Sequence, residues 1–263
     1  MDLGIRDKVF MVAASSKGLG FGIAAALASD GAKLSLASRS ADNIEAAASK
    51  LRETHGVGVR GYTFDATDAG SITEWRQKTL ADFGRIDGLV VNAGGPPPGQ
   101  FDSFDDAVWT RAYELTLLSA VRMIRAVLPA MRSRRSGSIL TVTSTSIKEP
   151  IEGLLLSNVF RSGVSSLVKS LSREISKDGI RINNLVPGRV DTERVRAIDA
   201  VNAGRRGVSP DEQRQAEEAN IPLGRYAIPS EFGAAAAFLL SDAASYITGA
   251  TLLIDGGQTK SLW

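Results

Sequence analysis

The sequence predicts an α/β fold built on a doubly wound parallel sheet of about seven strands, with helices on both faces. Three observations predict it. Short apolar runs alternate with helical stretches along the whole chain, the pattern of repeated β-α-β units. The apolar runs are continuous rather than alternating, as strands buried on both faces are. The chain has 263 residues, 43% hydrophobic and 23% charged, which suffices for one large core without a second domain.

In order, Val9–Ala13 is a buried strand, and Gly20 to Ser29 an Ala-rich helix. Lys33–Ala37 is the second strand, followed by a polar-faced helix from Ala41 to Thr54 with Ser40 or Asp42 near its start to cap it. A strand over Val59–Phe64 precedes a helix over Ser71–Phe83, and Gly88–Asn92 is the fourth strand. Ala107–Ser133 reads as one long helical region, bent or ended near Pro129, because proline lacks the helical N–H. Ser138–Thr143 is a strand, Ser157–Lys177 a helix and Ile180–Leu185 the sixth strand. Ser230–Leu240 is the last helix and Thr251–Asp255 the last strand. No internal repeat or low-complexity linker divides 1–263, so the chain reads as a single Rossmann-type domain. The irregular stretch is 189–227, charged and carrying Gly204, Gly207 and Pro210. A polar insertion at the carboxyl edge of such a sheet is a candidate lid over a substrate.

Composition excludes several function classes. Lys+Arg 31 against Asp+Glu 29 gives a net charge of +2, too balanced for a nucleic-acid or membrane-surface protein. There are no cysteines, hence no disulfide framework, thiolate nucleophile or Cys-ligated metal, and a reducing cytoplasm fits. His55 is the only histidine and sits at a helix end, so a Ser-His-Asp triad or a multi-His zinc site has no basis; no metal is expected. Asp2, Arg6, Asp7 and Lys8 interrupt any signal-peptide core, and no apolar run is long enough to span a membrane.

The first strand runs into Ala14-Ser15-Ser16-Lys17-Gly18-Leu19-Gly20. Glycines in a strand-to-helix turn let a diphosphate approach the backbone N–H groups of a helix N-terminus. Asn92-Ala93-Gly94 ends the fourth strand, Pro187-Gly188 and Thr192 follow the sixth, and Ile254-Asp-Gly-Gly257 closes the last. With these motifs, in this order, the chain resembles the short-chain dehydrogenase/reductase superfamily over essentially its whole length, and most of all its 3-oxoacyl-acyl-carrier-protein reductase group. The resemblance implies a nicotinamide cofactor across the carboxyl edge of the sheet. It places Ser15, Ser16, Lys17, Gly18, Leu19 and Gly20 at the diphosphate, and Asp65 beside the adenine. Asn92, Ala93 and Gly94 fall along the ribose and diphosphate, with Pro187, Gly188 and Thr192 also at the cofactor. Ala14 stands where the family has its first glycine, a change tolerated at negative φ and costly at positive φ. The second strand ends in Ala37-Ser38-Arg39-Ser40 with no carboxylate for a ribose 2′-hydroxyl. Arg39 and Lys17 can instead clamp a 2′-phosphate, so the cofactor expected is NADP(H).

The family's catalytic set is Asn, Ser, Tyr and Lys. Ser144 matches its serine, but Ser157 stands thirteen residues on, where the resemblance puts the tyrosine, and Arg161 at the lysine position. Thr116 holds the place of the asparagine. These are not equivalent groups: bringing a tyrosine from about 10 to 7 takes roughly 4 kcal/mol, and serine is a far weaker acid. Arg161, ordinarily protonated below about 12, is a poor proton shuttle. Ser157 and Arg161, four apart on a helix, can face the same cleft. Lys148, in the loop leaving the fifth strand, either projects into that cleft to donate a proton or stabilise an oxyanion, or faces solvent beside Glu149. Lys148, Pro150, Ser157, Asn158 and Arg161 resemble a divergent subgroup with Lys-x-Pro followed by Ser-Asn-x-x-Arg.

The expected function is an NADPH-dependent reductase of a carbonyl or 3-oxoacyl-type substrate, with catalytic candidates Ser144, Lys148, Ser157 and Arg161. The alternatives are a non-catalytic NADP(H)-binding sensor or scaffold, and non-redox chemistry on a nucleotide or acyl substrate. The expected partners are a small molecule, acyl or anionic, and further copies of the chain. The resemblance implies a tetramer or dimer through the two long helices and the last strand, with Ser261-Leu-Trp263 as an apolar tail.

Overall fold

The computed structural model describes residues 2–262; Trp263 of the apolar tail lies outside them. Seven parallel strands form one sheet in the order β3-β2-β1-β4-β5-β6-β7. In chain order the elements are β1 (Val9–Ala13), α1 (Gly18–Ser29), β2 (Lys33–Ser38), α2 (Ala41–His55), β3 (Val59–Thr63), α3 (Ala69–Phe83) and β4 (Gly88–Val91). Then come α4 (Asp106–Tyr113), α5 (Ser119–Arg134), β5 (Gly137–Val142), α6 (Leu155–Ile175) and β6 (Ile180–Pro187). The chain ends with α7 (Glu193–Arg206), α8 (Pro210–Ala219), α9 (Pro229–Leu240) and β7 (Thr251–Ile254). The chain leaves β1 toward β2 on one side and returns to β4 on the other, so a crevice opens at the carboxyl edge between them.

Successive residues of β1 feed opposite layers of the core. Phe10 and Val12 pack with Ile23, Leu27, Leu36 and Phe232 beneath α1 and α9, while Met11 and Ala13 pack with Trp75, Leu89, Met123 and Ile139 beneath α3 and α5. This is the two-residue period of a strand covered on both faces. Trp75 is 1% exposed, and its indole N–H donates to Ser35 Oγ at 2.8 Å, so its polar atom is satisfied inside the core. Helix boundaries follow local chemistry. Ser40 and Asp68 accept from Asn43 N and Gly70 N to cap α2 and α3, and each helix ends in a left-handed glycine, Gly56 and Gly84, the usual C-terminal stop.

Two expectations are corrected. The single helix over Ala107–Ser133 is α4 and α5 joined by a π-helical turn, Glu114–Leu118. Pro129 does not end α5, which continues to Arg134 because Met123, Ile124, Val127 and Met131 bury one face across the proline. The stretch 189–227 is largely helical: α7 and α8 form a hairpin whose base is closed by a bridge between Val190 and Ala227, with Asp191 N donating to Ala227 O at 2.8 Å and Ala227 N to Arg189 O at 3.0 Å. Inside this hairpin Arg189 pairs with Asp199 at 2.7 Å and Glu217 at 2.9 Å, and Tyr226 donates to Asp199 at 2.9 Å. Among the described residues no helix is long and apolar enough to cross a membrane.

Candidate active site

The carboxyl edge collects the site residues in two groups, one on either side of the crevice. On the β1–β2 side, α1 starts at Gly18 after Lys17, with no side-chain cap and no acidic residue in its first turn. Its first N–H groups are left for an anion. A Cβ on Gly20 would lie 2.9 Å from Ser15 Cα and still closer to the Ala14 carbonyl, so only glycine closes this turn. Ala14 takes φ +50°, the costly branch for an L-residue. Ser15 is placed differently from its neighbours: its N–H donates to Ala37 O at 3.2 Å, and its buried hydroxyl donates to Val12 O at 2.8 Å and accepts from Ala37 N at 3.2 Å. It supports the loop from within. Ser16 is half-buried, and Lys17 is exposed at the loop's rim.

Arg39 is exposed at the end of β2. Asp65 Oδ1 accepts from Thr67 N at 2.9 Å and from Thr67 Oγ1 at 2.8 Å. These bonds, backbone first, hold its carboxyl below the usual carboxylate range, with the Arg39 charge as a smaller contribution. Asn92 reaches from the end of β4 to the carbonyls of Ala13 and Ala14, both at 3.4 Å, tying the β4 loop to the β1 loop. A Cβ on Gly94 would meet nothing within 4 Å, so Gly94 borders open space, while Ala93 packs against the core. These residues fit a nucleotide diphosphate: a helix start with spare donors, a turn closed by glycine, and room above the β4 end.

On the β5–β6 side, Arg161 is the organising group. Its Nε donates to Ser157 Oγ at 3.1 Å, and its Nη1 donates to the carbonyls of Val142 at 3.1 Å and Thr143 at 3.3 Å. One guanidinium therefore joins the first turns of α6 to the end of β5, next to Ser144. Burial, and secondly the Arg194 charge, push Arg161 down to about 10, lower than the ordinary arginine value expected from sequence. It remains a cation at neutral pH, so the conclusion that it shuttles protons poorly stands. Ser144 Oγ accepts from Ser146 N at 3.2 Å. Both Ser144 and Ser157 thus spend their oxygens on protein N–H groups and keep their hydroxyl protons to donate. Lys148 is half-buried where the β5 loop turns. Among the described residues Lys148 forms no ion pair with Glu149, whose Oε1 accepts from Lys260 N at 2.8 Å. Thr116 lies in the π-helical turn with its hydroxyl buried and without a protein partner among the described residues, as is that of Ser146. Such turns concentrate at functional sites.

The rim is built by three segments. Gly99 pairs with Leu154 as an isolated parallel bridge, and Gly99 N donates to Gly153 O at 2.7 Å. Asn158 steadies the same loop by donating to Ile151 O at 3.0 Å and accepting from Ile151 N at 3.3 Å. Between this wall and α7 lies a cleft of about 720 Å³ lined by Gln100, Asp102, Glu152, Asn202 and Arg205 among others. Pro187 ends β6, Gly188 N donates to Ile254 O at 2.9 Å, and Thr192 caps α7 by accepting from Val195 N at 3.3 Å. Two features escaped sequence reasoning. Lys17 is ion-paired with Glu193 of α7 across the crevice, and the Arg194 guanidinium lies where a Cβ on Gly95 would be. Neither has a local signal, because each joins segments far apart in the chain.

Comparison with known proteins agrees with this architecture. The family model described as enoyl-(acyl carrier protein) reductase matches residues 13–259. The 3-oxoacyl-(acyl-carrier-protein) reductase of Escherichia coli is 33% identical over 256 residues, covering 97% of this chain and 99% of that protein. The rabbit (Oryctolagus cuniculus) dehydrogenase/reductase SDR family member 4 is 31% identical, covering 98% and 96%. The structure of L-sorbose reductase from Gluconobacter frateurii, complexed with NADPH and L-sorbose, superposes with a TM-score of 0.95 at 31% identity over 100% of both chains.

Proposed function

The chain belongs to the short-chain dehydrogenase/reductase family, and on that premise we propose that it is an NADPH-dependent reductase of a small carbonyl compound with a substituted catalytic set. The observation that carries the reading is the Arg161 tether, which holds Ser157 beside the end of β5 where Ser144 follows. NADPH supplies a hydride for the carbonyl carbon.

The chain's own residues do the rest. The N–H groups at the start of α1 and the loop Ser16–Gly20 hold the diphosphate, with Ser15 bracing it from within. Lys17 and Arg39 receive the 2′-phosphate, which a doubly charged anion between two cations favours. Asp65 borders the adenine, Asn92, Ala93 and Gly94 the ribose side, and Pro187, Gly188 and Thr192 the nicotinamide side. Ser144 and Ser157 hydrogen-bond the carbonyl oxygen through their hydroxyls without giving up the proton, and Arg161 strengthens Ser157 as a donor by bonding its oxygen. Fixed donors aimed at a developing alkoxide stabilise the transition state without reorganisation. Lys148 delivers the proton that completes the alcohol, directly or through water. The hairpin over 189–227 is the lid, and the assembly is a tetramer or dimer through α4–α5, α6 and β7.

The test is calorimetric titration with NADPH and with NADH, then NADPH oxidation over a panel of ketones and aldehydes. Micromolar NADPH with much weaker NADH and carbonyl-dependent oxidation is expected. NADPH binding with no turnover over the panel would make the chain a binding protein instead. A Lys148→Met protein with full turnover would remove Lys148 from the mechanism, and a monomer by light scattering at micromolar concentration would refute the assembly.

A further inference from the structure

Arg194 is a cation of this cleft that the reductase reading does not use. In the β1–β2 half, Lys17 has a carboxylate partner in Glu193. In the β4–β6 half, Arg161 has only neutral acceptors, namely a serine hydroxyl and two backbone carbonyls. Arg194, from the first turn of α7, lies against Gly95 just past the end of β4. A Cβ on Gly95 would collide with its guanidinium, so glycine is what lets the arginine lie across the opening.

The acids nearby are engaged elsewhere. Asp191 pairs with Arg196 at 2.6 Å and Arg214 at 3.3 Å, Asp199 with Arg189 at 2.7 Å, and Glu193 with Lys17. Glu149 caps Lys260 N. Among the described residues, neither Arg161 nor Arg194 has an ion pair. Arg161 is half-buried and Arg194 exposed; a cation taken out of water without a counter-ion is costly, so a ligand that brings one relieves the cost at Arg161. The diphosphate donors proposed above sit at the start of α1, whereas Arg161 is fixed to the end of β5, two strands from β1 in the sheet.

Resting on the reductase reading above, we infer that the β4–β6 half of the cleft is a carboxylate site built from Arg161 and Arg194, and that the carbonyl substrate is a keto acid rather than a neutral ketone. The reaction is then keto acid plus NADPH plus a proton giving hydroxy acid plus NADP+. The hydride forms the new C–H bond as the carbonyl π bond opens onto oxygen, and the oxygen takes the proton. Arg161 has committed Nε and Nη1, which leaves Nη2 for one bond to a carboxylate, while the planar Arg194 guanidinium suits it bidentately.

Two measurements test it on the whole protein. In turnover, acetoacetate and 2-oxohexanoate are each compared with their methyl esters. The acids are expected to exceed the esters at least tenfold in kcat/KM, with Arg194→Gln collapsing that ratio through KM for the acid and Arg194→Lys restoring part of it. Esters reduced as well as acids would overturn the inference while leaving the reductase reading intact. In binding, hexanoate and hexanamide are titrated by calorimetry into protein loaded with NADP+, with at least tenfold tighter hexanoate expected. If NADPH binds but neither acid nor ester is reduced, the reductase reading falls. The hexanoate measurement still decides the carboxylate site, and equal affinities would overturn it.

Discussion

Lys17, on the loop after β1, is ion-paired with Glu193, the first residue of α7. This pair spans the crevice and places a carboxylate beside one of the two cations proposed for the 2′-phosphate. A phosphate must therefore compete with Glu193 for Lys17. Both partners are about 70% exposed, so the competition is modest and screened by salt. Glu193→Gln is expected to tighten NADPH severalfold at low salt and to leave NADH within twofold, read by calorimetry. Equal gains for both cofactors would place Lys17 at the diphosphate instead.

Ser157 donates to the developing oxyanion and is held by Arg161. Removing one such donor typically costs about 10²–10³ in kcat. Ser157→Ala is expected to lose activity in that range in steady-state assays while keeping NADPH affinity and thermal midpoint close to those of the parent. A loss confined to KM would assign Ser157 to binding rather than to the transition state.

Ala14 stands at φ +50°. The left-handed region costs a non-glycine residue roughly 1–2 kcal/mol, against a glycine entropy penalty of about 0.5–1 kcal/mol. The steric term wins, so Ala14→Gly is expected to stabilise the fold by about 0.5–1 kcal/mol. For a domain of this size that is a rise of about 1–3 °C in Tm, measurable by calorimetry. A lower midpoint would mean that the loop relaxes once the methyl is gone.

Glu231 carries an acid-limb signature. Its bidentate contact with Arg225, at 2.6 and 2.8 Å, and its acceptance of the Ile228 N–H at 2.9 Å hold its carboxyl down to about 2, the arginine bond being the larger cause. A depressed folded-state value means that the contribution is complete above the ordinary glutamate range and is lost as pH falls through about 2. The Tm difference between the parent and Glu231→Gln should therefore be widest near neutrality, shrink below pH 4.5 and vanish near 2. A difference independent of pH would show that shape, not charge, matters at this position.

The sheet was legible because its strands are continuous apolar runs, and the start of α2 because Ser40 is a capping residue; the Asp68 cap was missed, so α3 begins at Ala69 rather than at the expected Ser71. Ser144, Ser157 and Arg161, which lie within eighteen residues of each other, were marked instead by the resemblance to the family's catalytic spacing. What stayed hidden depends on geometry that no local pattern encodes. The π-helical turn at Glu114–Leu118 is invisible because Leu115, Leu117 and Leu118 satisfy a helical period whether or not a residue is inserted. Lys17 and Glu193 are 176 residues apart. Ser15 turned inward because its hydroxyl and N–H complete the join between β1 and β2, a competition that sequence alone does not resolve.

The bridge between Gly99 and Leu154 gives the entrance a kinetic character. Its wall is already locked by backbone pairing before anything arrives, so that wall contributes no ordering step to an encounter. The lid proposed above, the α7–α8 hairpin, is braced internally by the Arg189–Asp199–Tyr226 network and would move as one piece about the Val190–Ala227 bridge. On that proposal residence time in the crevice would be set by the hairpin moving against a fixed frame.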